Sequence, residues 1–218
     1  MKQVLLSWSS GKDSAWALHL LRQLKDVRIA LFTTFNGAAD RVAMHGARRS
    51  LVEAQAERIG LPLWAVDLPW PCSNAEYEKI LRGVCQRAME EGIEAVAFGD
   101  LFLADIRSYR ELPLRGTGLE PLFPLWQIPT AQLAREIVSA GVKAKLTCVD
   151  TSKLDKSYAG RDFDLGFLEG LRAEIDPWEI TASSIRLCTT LLFPRRIDVQ
   201  IAEIVAREGF VFADVTSS

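Results

Sequence analysis

The sequence predicts an α/β fold in which a parallel sheet carries helices on both faces, followed by a smaller α+β C-terminal domain. Three observations predict it. Short apolar and β-branched runs alternate with longer amphipathic runs from the start of the chain to about Asp100, a βαβαβαβ series. The short runs are apolar on both of their faces, as strands covered on either side must be. Beyond Asp100 the alternation stops, and a charged stretch, a proline-marked stretch and a β-rich tail follow. The expected boundary lies near Trp126, which gives a first domain of residues 1–126 and a second of 127–218.

Each element has its own signal. Gln3 to Ser7 holds Val4, Leu5 and Leu6 in a row and is read as a strand; Asp13 to Leu24 is longer, free of Gly and Pro, and is read as a helix. Arg28 to Phe35 is apolar and aromatic, hence a strand. Ala47 to Ile59 is a helix that stops at Gly60, and Leu63 to Asp67 is a strand between Pro62 and Pro69. Ala75 to Glu91 is a helix after Ser73 that stops before Gly92, and Ala95 to Phe98 is a strand that ends at Gly99. Ala104 to Arg115 is a charged loop or helix, Thr130 to Ala140 a helix, and Lys143 to Val149 a strand.

Composition narrows the function classes. With 26 Lys and Arg against 28 Asp and Glu, the chain lacks the basic excess that non-specific nucleic-acid binding leaves, so a nucleic-acid partner is not expected. No apolar run reaches the ~20 residues of a membrane span, and the N-terminus enters a strand with no charged-then-apolar leader, so a cytoplasmic location is expected. Cys72, Cys85, Cys148 and Cys188 stand apart, with only His19 and His45 beside them, and are read as reduced core residues rather than zinc ligands. His19, on the first helix, is read as packed, and Trp8, Trp64 and Trp126 as core or pocket wall.

The candidate site begins at Ser9-Ser10-Gly11-Lys12-Asp13-Ser14, between the first strand and the first helix. In an open α/β sheet such a loop is a ready anion site. A Walker loop needs a hydroxyl where Asp13 stands and an earlier glycine that is absent; the dinucleotide pattern G-x-G-x-x-G fails as well. The hexamer resembles the PP-loop S-G-G-x-D-S of the ATP pyrophosphatases, with Ser10 replacing the first glycine. This resemblance implies a Rossmann-like fold of the HUP/PP-loop type and cleavage of ATP between its α- and β-phosphates. Gly11 would let the backbone approach the phosphates, Ser9 and Ser14 would donate hydrogen bonds, and Lys12 would neutralise growing charge. Asp13 would repel phosphate unless a magnesium ion lies between them. A serine-rich turn capping a helix is the alternative.

Further segments sharpen the resemblance. FGDLFLADIRSYRE, with Gly99, Asp100 and the triplet Tyr109-Arg110-Glu111, resembles the diphthine-ammonia ligase family, as do TTFN (Thr33 to Asn36), RVAMHG (Arg41 to Gly46), GLEPLFPLW (Gly118 to Trp126), TCVDTSKLDKSYAGR (Thr147 to Arg161) and GFVFAD (Gly209 to Asp214). The chain is most similar to the short bacterial members, for which diphthamide is not an expected product. The resemblance implies a ligase that adenylates a carboxylate, releasing pyrophosphate, and amidates it with ammonia. It places adenine near Thr33, Thr34 and Asn36, with His45, Gly46 and Gly99 also beside the nucleotide. It gives Asp13 and Asp100 to magnesium, and Tyr109, Arg110 and Glu111 to the acceptor or to ammonia. Asp150, Lys153, Asp155, Gly160 and Arg161 are either site residues from the second domain or a solvated turn cluster. Ammonia comes free or from a partner, because no glutaminase signature is present; a homo-oligomer stays open. The rival classes are an ATP-binding sensor without turnover and a tRNA-modifying PP-loop enzyme.

One segment departs from the family. After Ile175-Asp176-Pro177 its members usually read C-G-[DE]-N-G-E-F-H-T, whereas this chain reads WEITASSIRLCTTLLF, Trp178 to Phe193, before a family-like tail resumes. Restoring one base near Trp178 permits Cys-Gly-Asp-Asn-Gly-Glu-Phe-His, which points to a compensated frameshift; an ordinary divergent strand is the alternative.

Overall fold

A computed structural model describes residues 1–43, 46–171, 176, 187–189, 191–192, 195–196, 199–207 and 209–217. The first elements are β1 (Lys2–Ser7), α1 (Lys12–Gln23), β2 (Val27–Asn36), β3 (Arg41–Val42), α2 (Arg49–Ile59), β4 (Leu63–Leu68), α3 (Asn74–Glu90), β5 (Ala95–Ala97), α4 (Ala104–Glu111) and β6 (Glu120–Leu122). There follow α5 (Thr130–Ser139), β7 (Ala144–Leu146), β8 (Cys148–Asp150), α6 (Leu165–Gly170), β9 (Leu187–Thr189), β10 (Leu191–Leu192), β11 (Arg195–Arg196), β12 (Val199–Arg207) and β13 (Phe210–Ser217). The fold is mixed α/β: among the described residues, a mostly parallel sheet flanked by helices is joined by three small antiparallel sheets, β12-β13-β8, β7-β9 and β10-β11.

The chain divides into two compact units: Met1–Ser9, Asp13–Met44 and Leu61–Gln127 form one, and Ser10–Lys12, His45–Gly60 and Ile128–Ser218 the other. In the first unit β1 pairs in parallel with β2 and with β5, β4 pairs in parallel with β2, and β6 pairs in parallel with β5. Val4, Leu5 and Leu6 are all buried although successive side chains point to opposite faces, so β1 is covered on both sides. One face packs Leu5, Phe32 and Val96 against Cys85 and Ala88 of α3. Ser73 caps that helix: its hydroxyl accepts from the Glu76 N–H at 3.3 Å while the Glu76 carboxylate accepts from the Ser73 N–H at 3.0 Å.

In the second unit β13 pairs antiparallel with β12 and with β8. The expected strand Lys143 to Val149 is two strands. It changes sheets at Thr147: Ala144–Leu146 pairs with β9, Cys148–Asp150 with β13, and the Thr147 carbonyl accepts from the Ala213 N–H at 2.9 Å. Helix α2 starts at Arg49 rather than at Ala47, because the Arg48 guanidinium is held by the Asp214 carboxylate, Nε lying 3.1 Å from each oxygen, while its backbone stays extended. Helix α6 gave no apolar periodicity, being only six residues long; Asp164 caps it, accepting from the Phe167 N–H at 2.8 Å.

Two further differences have plain causes. The proline-marked stretch contains a strand, β6, in which Pro121 is tolerated because, among the described residues, this strand pairs with β5 alone and lies at the edge of the sheet. Cys72 is not a core residue; it lies half-exposed in the loop before α3, while Cys85 and Cys148 are buried as expected. Among the other aromatic readings, Trp8 and Trp64 are buried, and His19 stacks on Trp16 at 4.5 Å and reaches Gln23 at 2.8 Å. The segment that departs from the family lies largely outside the described residues, which include its Leu187–Thr189 and Leu191–Leu192 strands.

Candidate active site

Where β1 leaves the sheet, its backbone stays tied to β2. The Trp8 N–H donates to the Phe32 carbonyl at 2.8 Å, and the buried Thr33 hydroxyl donates to the Trp8 carbonyl at 2.7 Å. The next turn leads into α1 at Lys12. The first N–H groups of a helix have no intrahelical acceptors and carry the positive end of its dipole, which favours negative charge beside a helix start. Ser9 and Ser14 meet across this turn. The Ser9 N–H donates to Ser14 Oγ at 3.3 Å, and the two hydroxyls stand 3.2 Å apart.

Ser10, which stands where the PP-loop pattern has its first glycine, has φ +65° and is fully buried. The left-handed conformation costs a residue with a Cβ about 1–2 kcal/mol, whereas glycine adopts it freely. The pattern's glycine therefore records a backbone requirement that survives in this chain at a cost. Ser10→Ala keeps the strain and loses the hydroxyl; Ser10→Gly removes the strain. We expect the glycine variant to be the more stable of the two by about 1 kcal/mol in denaturant unfolding. Equal stabilities would show that φ at this position carries no penalty.

Lys12 has an exposure of only 1%, and its ammonium lies 6.0 Å above the centre of the Phe163 ring. Such a cation is held by its aromatic neighbour as well as by polar partners.

The end of β5 abuts the first turn of α1. A Cβ added at Gly99 would lie 3.0 Å from the Asp13 carbonyl carbon and 3.1 Å from the Ser14 nitrogen. Both are backbone atoms, so neither can swing aside. Gly99→Ala is expected to cost about 1–3 kcal/mol of stability, as read by denaturant unfolding. Wild-type stability in that variant would remove the close approach as an explanation for the glycine.

This approach brings Asp100 to the helix start. Burial pushes the Asp100 carboxyl above its ordinary pKa, the Arg110 guanidinium pulls it down, and the negative charge of Asp13 pushes it up again. Arg110 Nε stands 3.3 Å from Asp100 Oδ2. Asp13 and Asp100 therefore lie near enough at the start of α1 for the charge of Asp13 to act on Asp100. Among the described residues no group of three or more His, Cys, Asp or Glu could hold a metal ion. Two carboxylates are nevertheless a fitting set for magnesium, which keeps several waters and takes its remaining ligands from substrate phosphates.

The triplet Tyr109-Arg110-Glu111 does not converge on one point. Arg110 turns to Asp100, Tyr109 stacks on Tyr77 with ring centres 6.2 Å apart, and Glu111 accepts from Arg107 Nε at 2.8 Å. Burial, with the neighbouring Tyr77 and Glu78 charges, pushes the Tyr109 hydroxyl above its usual pKa. Arg107 was not foreseen. Its guanidinium lies 4.6 Å from the Phe123 ring centre and 4.7 Å from that of Trp126, and the one signal for it was the i,i+4 spacing to Glu111.

The candidate adenine residues lie at the end of β2. The Thr34 carbonyl accepts from the Ala43 N–H at 3.0 Å, and Asn36 Oδ1 accepts from Ala38 and Ala39 at 3.0 and 3.1 Å, closing the turn into β3. His45 lies outside the described residues, while Gly46 has φ +69°. In the second unit Asp150 and Asp155 close turns, Asp150 Oδ1 accepting from the Ser152 N–H at 2.9 Å and Asp155 Oδ1 from the Ser157 N–H at 2.8 Å. The Arg161 guanidinium lies 4.8 Å from the Tyr158 ring centre, and Gly160 adopts φ +84°.

Comparison with known proteins follows the same line. Residues 1–121 match the family model described as diphthamide synthase N-terminal domain. No curated protein matches the chain. Among solved structures, the chain is similar to a "predicted subunit of tRNA methyltransferase" from Methanocaldococcus jannaschii, with 16% identity, a TM-score of 0.45, and coverage of 66% of this chain and 80% of that one. It is also similar to the U34-tRNA thiolase NcsA from Methanococcus maripaludis, a protein with a [4Fe-4S] cluster; identity is 18%, the TM-score 0.43, and coverage 64% of this chain and 57% of that one.

Proposed function

From the premise that this chain belongs to the diphthamide synthase N-terminal domain family, we propose that it is an AMP-forming carboxylate–ammonia ligase. The family is one of ATP-using PP-loop enzymes. The observation that carries the reading is the pair Asp13 and Asp100, drawn together at the start of α1 by the close approach of Gly99.

Asp13 and Asp100 would hold a magnesium ion, which would supply charge neutralisation on the phosphates. The Ser9 to Ser14 loop and the N-terminus of α1 would hold the β- and γ-phosphates, with Lys12 adding positive charge. An acceptor carboxylate oxygen attacks the α-phosphorus, the bond from that phosphorus to the bridging oxygen breaks, and pyrophosphate leaves with the electron pair. Ammonia then attacks the acyl carbon, AMP departs with the carbon–oxygen pair, and a proton is lost to water. Positioning and charge stabilisation carry both steps. Residues 1–126 bind ATP, residues 127–218 present the acceptor, and the reaction runs in the cytoplasm on free ammonia or ammonia handed over by a partner.

The test is to incubate the protein with labelled ATP, magnesium, ammonium and a panel of carboxylates and to separate the nucleotides. Expected products are AMP and pyrophosphate, formed only with magnesium and increased by ammonium together with a matching carboxylate. ADP as the main product would overturn the assignment. Tight ATP binding without turnover would make the protein a sensor, and pyrophosphate release stimulated by tRNA would make it a tRNA-modifying enzyme.

A further inference from the structure

Arg110 sits between two partners on one side of the candidate site. Its Nε stands 3.3 Å from Asp100 Oδ2, and its guanidinium lies 5.6 Å from the centre of the Phe98 ring, on the residue that precedes Gly99 and Asp100. Both ends of the segment Phe98-Gly99-Asp100 are therefore gripped: Phe98 by the cation over its ring, Asp100 by the hydrogen bond. Between them Gly99 comes so close to the Asp13 backbone that an added Cβ would lie 3.0 Å from the Asp13 carbonyl carbon. A guanidinium is planar and presents its donors in fixed directions, so its Nε bond to one carboxylate oxygen biases the direction of the other.

We infer that Arg110 is a positioning residue that acts through Asp100, fixing that carboxylate beside Asp13 so that the pair can share a divalent cation with the phosphates of ATP. This rests on the reading of the site as an ATP site, and it differs from a role for Arg110 in holding the acceptor. Of the two oxygens of Asp100, Oδ2 is taken by Arg110. Oδ1 is the ligand atom that this arrangement leaves for the cation. The positive charge of Arg110 opposes the cation electrostatically, so orientation and charge act in opposite directions here. Outer-shell partners that orient a metal ligand are typically worth about 10–100-fold in metal affinity, and the inference requires orientation to outweigh the charge.

The test uses the full chain and Mn2+ as the probe, with α,β-methylene-ATP, which cannot be cleaved between its α- and β-phosphates. Mn2+ dissociation constants are measured by calorimetry for the unaltered protein, Arg110→Met, Arg110→Lys, Asp100→Asn and the Arg110→Met/Asp100→Asn double variant. Arg110→Met should raise the dissociation constant by about 10-fold, and Arg110→Lys should do so too, since it keeps the charge but loses the fork. The double variant should bind no worse than Asp100→Asn alone, because the arginine acts through that carboxylate. Unchanged or tighter binding in Arg110→Met would overturn the inference, the second outcome showing a mere competing charge. Additive losses in the double variant would overturn it also. If the unaltered protein binds no Mn2+ with the nucleotide, the ATP site itself fails; if it binds and Arg110→Met matches it, the positioning role alone fails. Thermal unfolding of each variant verifies folding, and Arg110→Lys carries the test if Arg110→Met does not fold.

Discussion

Asp13→Ala is expected to lower magnesium-dependent ATP cleavage by at least about 100-fold, since charge neutralisation by a metal is worth several kcal/mol and about 1.4 kcal/mol corresponds to a factor of ten. The fold should survive. Asp13 lies in the first turn of α1, where a carboxylate contributes about 0.3–1 kcal/mol through the helix dipole. For a chain of this size that is a shift of a few degrees at most in melting temperature. Asp13→Asn separates the two effects further, because it keeps the shape and a helix-starting side chain but loses the charge. It should melt within a few degrees of the unaltered protein and turn over as poorly as Asp13→Ala. Pyrophosphate release against magnesium concentration and a thermal melt on the same preparations decide the matter. A fall in activity that merely tracks a fall in stability would place Asp13 among structural residues.

The first half of the fold was legible because parallel strands buried on both faces are written in consecutive apolar residues. Val4, Leu5 and Leu6 declare themselves without an alignment, and Ser73, Gly60 and Gly92 mark helix ends through main-chain chemistry. The second half was read less well, since its strands change partners. Lys143 to Val149 is one apolar run by composition but serves two sheets, and periodicity does not record which neighbour a strand chooses. The site divides in the same way. Ser9 to Ser14 is local, and its geometry follows from a strand, a turn and a helix start. Asp100 beside Asp13 is a consequence of sheet order, β5 lying next to β1, which local periodicity does not record. The split of the Tyr109-Arg110-Glu111 triplet depends on side-chain directions on a half-exposed helix, where charged residues give no apolar pattern. Arg107 was invisible for a related reason: the rings of Phe123 and Trp126 that receive it come from a loop after β6.

A gene re-read to restore the family motif should yield a protein whose acceptor-dependent amide formation exceeds that of the present chain by about 100-fold or more, the range over which positioned acid–base groups act. The segment from Trp178 reverse-translates as TGG-GAR-ATH-ACN-GCN-AGY-TCN-ATH. One base restored at the end of a Cys codon converts it to TGY-GGA-RAT-HAC-NGC-NAG-YTC-NAT, which forces glycine and permits Cys-Gly-Asp-Asn-Gly-Glu-Phe-His. A compensating insertion before about Arg196 would return the tail to frame, and the tail does pair: β13 forms antiparallel ladders with β8 and with β12, the latter shifting register between Ile201 and Glu203. The pairing of Leu187–Thr189 with β7 does not decide between a frameshift and a divergent strand. Ladder hydrogen bonds are made by main-chain groups, and an apolar, β-branched run satisfies them in either reading. What a shifted frame would remove is chemistry, here the Glu and His that the resemblance gives to the acceptor side. The present chain should therefore bind ATP and magnesium as the restored one does, while amidating weakly or not at all. Sequencing the gene and assaying both proteins side by side tests this. Codons that cannot be shifted into the motif would end the idea, and so would full amidation by the present chain, because the Glu and His would then be dispensable for the step they are supposed to support.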